Sequence, residues 1–280
     1  MQGKTVVITG ATSGLGRIAA VGLAQMGARL VIVGRDRGRV FATLQEVSRA
    51  GQGISHAAYV ADMSLVGEAK RVGAEIAAGE PRIDVLINNA GAIFGTRQVT
   101  AEGLERTFAL NHMGYFVLTR CLVDRLKASA PARIVNTASG AHFGHRLDFD
   151  DLQMTRGYRP RTAYGRSKLA NILFTRELAR RLAGSGVTAN CLHPGFVKTS
   201  FGQSGNGLFG VAVRIAMRLF AGPPEPGAAT IVYLASDPAV ADVSGEYFFD
   251  RQPKRPSHAA RDDDAARRLW EESERIAGLA

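Results

Sequence analysis

The sequence predicts a single α/β domain, a doubly wound parallel sheet of about seven strands with helices on both faces. Short β-branched runs alternate with longer helical patterns along the chain. The runs are apolar at nearly every position, as strands covered on both faces must be. At 280 residues the chain is long enough for one large core and too short for two full-sized domains.

The elements follow in order. Lys4–Thr9 is the first strand, and the glycine-rich stretch after it opens a helix over Leu15–Met26. Arg29–Val33 and His56–Val60 are strands separated by a helix over Arg37–Arg49. A helix over Leu65–Ala78 leads to a strand at Asp84–Ile87, and a long helix is expected over Ala101–Lys127. Strands at Arg133–Thr137 and Thr188–Leu192 flank a helix over Tyr164–Ala183, and a last strand lies near Glu246–Phe249. No repeat or linker splits the chain. The nucleotide-binding half is expected over about residues 1–130 and the second half over about 131–250. A C-terminal segment, 251–280, follows.

Composition excludes several classes. Hydrophobic residues make up 46% and charged residues 21%, which argues against disorder. The formal charge of +10 comes from arginines spread along the chain and mixed with acids. Nucleic-acid binding would need a clustered basic stripe, so it is not expected. A basic surface that attracts phosphate-bearing cofactors or an anionic membrane face fits better. The first residues run straight into a strand, and no apolar run approaches ~18 residues. A cytoplasmic protein is therefore expected, with Cys121 and Cys191 as buried thiols.

Thr9-Gly10-Ala11-Thr12-Ser13-Gly14-Leu15-Gly16 lies between a strand and a helix. Three glycines allow a tight turn, close approach of backbone to a pyrophosphate, and close packing of helix on strand. The helix start offers free N–H groups and a positive dipole end to phosphates. This is the setting of a Rossmann-type dinucleotide site. An acid at the end of the second strand would bind a ribose 2′-OH and favour NAD(H). Gly34 stands there instead, followed by Arg35, which can pair with a 2′-phosphate. NADP(H) is therefore expected over NAD(H). Asp36 reads either as a helix N-cap or as a displaced ribose ligand.

Tyr164 and Lys168 are four residues apart on an expected helix, so both face the same side. A free phenol titrates near ~10 and a lysine near ~10.4. An adjacent ammonium and a positive nicotinamide ring would pull the phenol towards working pH, making it a general acid or base. Asn88-Asn89-Ala90-Gly91 follows a strand, and Asn111 lies within the next helix. Asn136-Thr137-Ala138-Ser139 ends another strand, and His193-Pro194-Gly195-Phe196-Val197-Lys198-Thr199 comes later.

With these motifs in this order, the chain resembles the short-chain dehydrogenase/reductase family from Thr5 to about Phe249. The resemblance implies that Tyr164 is the proton donor or acceptor and that Lys168 binds the nicotinamide ribose and lowers the tyrosine pKa. It implies that Ser139 holds the substrate oxygen and that Asn111 anchors a water in a relay to Lys168. Asp62 and Met63 would contact adenine. Asn89, Ala90 and Gly91 would pass the adenosine ribose, and Pro194 to Thr199, with Gly195 and Val197 among them, would hold the carboxamide end. Ala138 departs from the family, which often has serine there.

The insert His142-Phe143-Gly144-His145 with Phe149-Asp150-Asp151-Leu152-Gln153, then Ser167-Lys168-Leu169-Ala170-Asn171, Gly245-Glu246-Tyr247-Phe248 and the tail Ala266–Ser273, resembles the retinol dehydrogenase branch. That branch often carries an N-terminal anchor helix, and none is expected from these residues. The implied activity is NADP(H)-dependent interconversion of a lipophilic or aromatic alcohol and its carbonyl. Two other readings stay open, a non-catalytic NADP(H)-sensing protein and a reductase of an activated carbon–carbon double bond.

His142 and His145 read as loop histidines making ordinary hydrogen bonds. No metal is expected, since no carboxylate or cysteine joins them at ligand spacing. Gly202–Gly207 reads as a loop beside a substrate lid over about 200–222. The apolar run Leu208–Phe220 is a lid helix, a packing helix or a helix touching a membrane surface. A homodimer or homotetramer could pair through the helix over Ala101–Lys127 and the one bearing Tyr164.

Overall fold

β1 (Thr5–Thr9) is buried at every residue because its alternating side chains enter two cores, Val6 and Ile8 on one face of the sheet and Val7 on the other. The computed structural model describes residues 1–51, 53–195 and 225–279. β1 pairs in parallel with β2 (Arg29–Gly34) on one side and β4 (Val85–Asn88) on the other. β3 (Ala57–Val60) extends the sheet beyond β2. β5 (Ala132–Thr137), β6 (Val187–Leu192) and β7 (Tyr247–Phe249) extend it beyond β4, all parallel.

The sheet order among the described residues is β3-β2-β1-β4-β5-β6-β7-β8. The seven parallel strands are those the sequence predicts. β8 (Gln252–Pro253) is an antiparallel addition of two residues, too short to carry a periodicity. It sits at the sheet edge, where a proline costs no ladder bond. Strand order reverses between β1 and β4, which opens a crevice beyond the carboxyl ends of these strands.

Helices cover both faces. α1 (Gly14–Gln25), α2 (Arg37–Ala50) and α7 (Glu225–Ser236) bury Leu23, Val47 and Ile231 with Val6 and Ile8. α3 (Val66–Gly79), α5 (Gly114–Ala128), α6 (Pro160–Arg181) and α8 (Asp263–Ala277) pack Ile76, Phe116, Phe174 and Trp270 on the other face. Each such side chain contributes roughly 1.5–3 kcal/mol by leaving water.

The helix expected over Ala101–Lys127 begins at Arg106. The Glu105 carboxylate accepts from the N–H groups of Thr107 and Phe108 at 2.8 Å each, capping α4 (Arg106–Phe108). A π-turn, Ala109–Met113, separates it from α5.

Two helices, α7 and α8, lie beyond those the sequence predicts. α8 nevertheless has a complete local signal: Asp262 accepts from Ala265 N–H at 2.9 Å, Asp263 and Asp264 occupy the first turn, and Gly278 closes the helix at φ 59°. Trp270 meets Phe116 edge-on at 5.1 Å and stacks on Phe174 at 5.8 Å, with the Arg181 guanidinium 4.4 Å from its ring centre. Arg120 of α5 pairs with Glu274 at 3.2 Å. α8 thus packs along α6 and touches α5 through Phe116 and Arg120.

The expected lid over 200–222 and its apolar run, together with Val197 and Thr199, lie outside the described residues. Among the described residues no helix is long and apolar enough to cross a membrane.

Candidate active site

At the crevice, Gly10 takes φ 68°, and a Cβ there would come within 2.7 Å of Ala90 Cα. Glycine is therefore what lets β1 and β4 end side by side. Thr9 Oγ1 accepts from the N–H groups of Asn89 and Ala90 at 3.0 and 3.1 Å, while Asn89 Nδ2 donates to Gly10 O at 3.1 Å. A Cβ on Gly16 would collide with Asn89 Nδ2 and the Gly10 carbonyl, so α1 also needs glycine to sit this close. Ser13, the N-cap of α1, makes no side-chain cap bond, and no acid occupies the first turn. The first turn lines the cleft, and the free N–H groups and positive dipole end of a helix start suit an anionic pyrophosphate.

β2 ends at Gly34, where a Cβ would meet Val40 Cγ2 at 2.8 Å and Thr12 Cγ2 at 3.0 Å. A side chain at the position that would hold a ribose-binding acid would force Val40 and Thr12 to shift. Asp36 resolves as the N-cap of α2, accepting from Arg39 N–H at 2.9 Å. Arg35 extends into solvent at 62% exposure, 3.7 Å from Asp62. Arg39 lines the same end of the cleft, a position the sequence motifs did not mark. It lies in the first turn of α2, four residues after Arg35, so a second basic residue close behind the first was the available signal. Asp62 Oδ1 is itself engaged by Ser64 N–H and Oγ at 3.0 and 2.7 Å.

The cleft holds about 1170 Å³, more than a drug-sized ligand needs and room for a dinucleotide with a small second molecule. Gly10 and the turn from Thr12 to Gly16 line one end with Arg35, Asp62 and Met63. Asn89 to Gly91 line the middle. Ser139, Tyr164, Lys168, Pro194 and Gly195 line the other end. The residues present therefore fit a nicotinamide dinucleotide.

Asn111 stands behind this wall, in the π-turn, with Oδ1 3.2 Å from where a Gly91 Cβ would be. Oδ1 accepts from Ala92 N–H at 2.8 Å, and Nδ2 donates to Ala92 O and Ser167 Oγ at 2.9 Å each. Both amide hydrogens are thereby committed.

Ser139 follows β5 and accepts at Oγ from Ala141 N–H at 3.1 Å. Pro160 starts α6, its fixed φ and missing N–H suiting the first turn. α6 then carries Tyr164 and Lys168 to the same side. Lys168 Nζ donates to Thr137 O at 2.8 Å and lies 5.7 Å from the Tyr164 ring centre and 5.6 Å from that of Tyr115.

Burial pushes the Tyr164 phenol up to about 12, and its hydrogen bond with Ser139 pulls the other way. Burial also pushes the Lys168 ammonium down to about 7. Burial thus opposes the lowering of the phenol that the resemblance assigns to Lys168. Burial favours the neutral form of both partners, and a positive charge in the cleft draws the phenol back down.

The elements bearing these groups are tied by buried polar contacts. Asn88 Nδ2 donates to Asn136 Oδ1 at 2.9 Å and to Thr119 Oγ1 at 3.0 Å, and Asn136 Nδ2 donates to Thr175 Oγ1 at 2.9 Å. β4, β5, α5 and α6 are locked in register by this chain. Tyr115, beneath Lys168, is a site neighbour that no sequence signal marked. His145 packs its ring on Gly165, beside Tyr164.

A model of the family described as short chain dehydrogenase matches residues 4–206. The chain belongs to the short-chain dehydrogenase/reductase family. Human retinol dehydrogenase 13 is 42% identical to this short-chain dehydrogenase/reductase over 286 residues, covering 100% of the chain and 86% of the relative. Human retinol dehydrogenase 14 is 42% identical, with 100% and 88% covered. An uncharacterized protein from Mycobacterium paratuberculosis shares the fold with a TM-score of 0.77 and 33% identity, over 99% of this chain and 94% of that one. The Pseudomonas aeruginosa RhlG/NADP active-site complex matches at TM-score 0.69 and 28% identity, over 89% and 94%. As a family member the chain is an oxidoreductase of the nicotinamide-dependent kind and resembles the retinol dehydrogenase branch. Among the described residues, no group of three or more His, Cys, Asp or Glu could hold a metal ion.

Proposed function

We propose that the protein interconverts a lipophilic or aromatic alcohol and its aldehyde or ketone with NADP(H), using Tyr164 as general acid and base. The observation that carries this is the meeting of Ser139, Tyr164 and Lys168 at one end of a cleft whose other end is the glycine turn of β1. Bound nicotinamide supplies or accepts hydride at C4.

In the reducing direction the Tyr164 hydroxyl gives its proton to the carbonyl oxygen, and in the oxidising direction the phenolate takes it from the alcohol. Ser139 Oγ, fixed by Ala141 N–H, holds that oxygen where negative charge develops. Lys168 is anchored on Thr137 O and, when charged, favours the Tyr164 phenolate and would bind the nicotinamide ribose. Asn111, with its side chain committed to Ala92 and Ser167, would hold a relay water through its main-chain carbonyl or the second lone pair of Oδ1.

Support for NADP(H) comes from Gly34, where an acid would crowd Val40 and Thr12, and from Arg35 and Arg39, two guanidiniums that line the cleft beside it and can pair with a 2′-phosphate. Support for a lipophilic substrate comes from relatives named as retinol dehydrogenases.

The test is a panel of aliphatic and aromatic aldehydes, ketones and alcohols, retinal and retinol included, assayed in parallel with NADP(H) and NAD(H). Higher kcat/KM with NADP(H) on apolar carbonyls or alcohols is expected. Tight cofactor binding without turnover on any member, or hydride delivered to a carbon–carbon double bond from deuterated cofactor, would overturn it.

A further inference from the structure

His142 lies three residues after Ser139 and is buried. Its Nδ1 is 2.7 Å from Ser139 O, a carbonyl that can only accept, so Nδ1 carries the hydrogen. Its Nε2 receives the N–H of Ser257 at 3.1 Å, so Nε2 is the bare nitrogen. The ring is therefore neutral and has one tautomer, and each nitrogen holds a different part of the chain. Its surroundings leave it little freedom, with Tyr247 edge-on at 5.2 Å and Phe143 at 4.1 Å.

The Ser139 carbonyl also accepts from His142 N–H, at 3.2 Å, and the Ser139 hydroxyl oxygen accepts from Ala141 N–H. Ser139 is thus held at both its carbonyl and its hydroxyl by the short turn Gly140–His142. That turn in turn is fastened to the C-terminal segment through one imidazole. A second histidine repeats the arrangement at the other end of the segment. His112, directly after Asn111, places Nε2 2.8 Å from Ser273 Oγ on α8.

We infer that His142 is a positioning residue for Ser139, and that the segment from Ser257 onward belongs to the catalytic apparatus because it fixes this ring. The inference rests on the proposed role of Ser139. A pure packing role would be met by any ring of the same volume. A positioning role needs the Nδ1 donor, because that hydrogen bond sets the carbonyl of the residue whose hydroxyl faces the substrate.

Three variants separate these roles, assayed with benzaldehyde or retinal, whichever turns over, and NADPH. His142→Phe keeps a ring and loses both polar contacts. His142→Gln keeps an acceptor near Nε2 without the Nδ1 donor. His142→Asn places an amide N–H near Nδ1. The expected result is a fall in kcat of about tenfold or more in His142→Phe and His142→Gln. NADPH affinity should stay within about twofold, and His142→Asn should recover most of the loss. If His142→Phe fails to fold, the comparison of His142→Gln with His142→Asn gives the same reading. Unchanged kcat in His142→Phe or His142→Gln, a parallel loss of NADPH binding, or no recovery in His142→Asn would overturn the inference. Ser139→Ala is the control. An inactive control upholds the role of Ser139 on which the His142 comparison depends, whereas an active one overturns that role and this inference with it.

Discussion

Lys168 donates a 2.8 Å hydrogen bond from Nζ to the carbonyl oxygen of Thr137, the last residue of β5, and burial holds its ammonium down to about 7. The lysine is therefore anchored by the sheet, and its charge is easily lost.

A polyanionic cofactor favours the charged lysine, so binding takes up a proton whenever the free protein has lost it. NADPH affinity should therefore fall as pH rises above about 7, by at most about tenfold per unit. Lys168→Met should flatten the dependence. Fluorescence titration of NADPH between pH 6.5 and 9 measures both, and an affinity independent of pH in the wild type would contradict this protonation behaviour.

Arg35 is exposed and only loosely paired with Asp62 at 3.7 Å, so it is free to turn to a phosphate. Replacing it by serine should remove a charge-assisted bond worth about 1.5–3 kcal/mol, a loss of roughly 10- to 100-fold in kcat/KM for NADPH. NADH, without the 2′-phosphate, should be nearly unaffected. Equal losses for both cofactors would assign Arg35 a structural role instead.

How far the sequence already showed this molecule depends on the range of each signal. The seven parallel strands were legible because burial on both faces leaves runs such as Leu30-Val31-Ile32-Val33 apolar throughout. Asp36 was ambiguous in sequence because a cap and a ribose ligand need the same residue, and only the bond from Arg39 N–H separates them. The π-turn that sets Asn111 behind Gly91 left no mark, since one extra residue per turn needs no special residue type. Contacts between distant segments were invisible for a different reason. His112 and Ser273, or His142 and Ser257, are ordinary residues until the fold brings them together. α8 had its capping signal in Asp262 and Gly278, but its role in covering α5 and α6 depended on the tertiary structure.

His112 is fully enclosed, and burial pushes it down to about 3, slightly opposed by Asn171. The folded value lies below the unfolded value of about 6.5, so between the two the unfolded chain binds the extra proton. Stability from keeping this ring neutral is complete above about pH 6.5 and is lost as pH falls towards 3. On going from pH 7 to pH 5 the wild type should lose on the order of 2 kcal/mol more than His112→Gln. Urea unfolding of the two proteins at both pH values gives the difference. Parallel losses would show that His112 titrates normally.

Tyr164 carries the central claim, because proton transfer is the one step that the protein itself performs on the substrate. Tyr164→Phe keeps the ring packed beside Lys168 and removes only the hydroxyl. The decisive measurement is kcat/KM of this variant on its best carbonyl substrate, with NADPH binding determined on the same sample. Activity should fall by about 10²–10⁴-fold while NADPH affinity stays within about twofold. Turnover within a few-fold of the wild type would contradict the account.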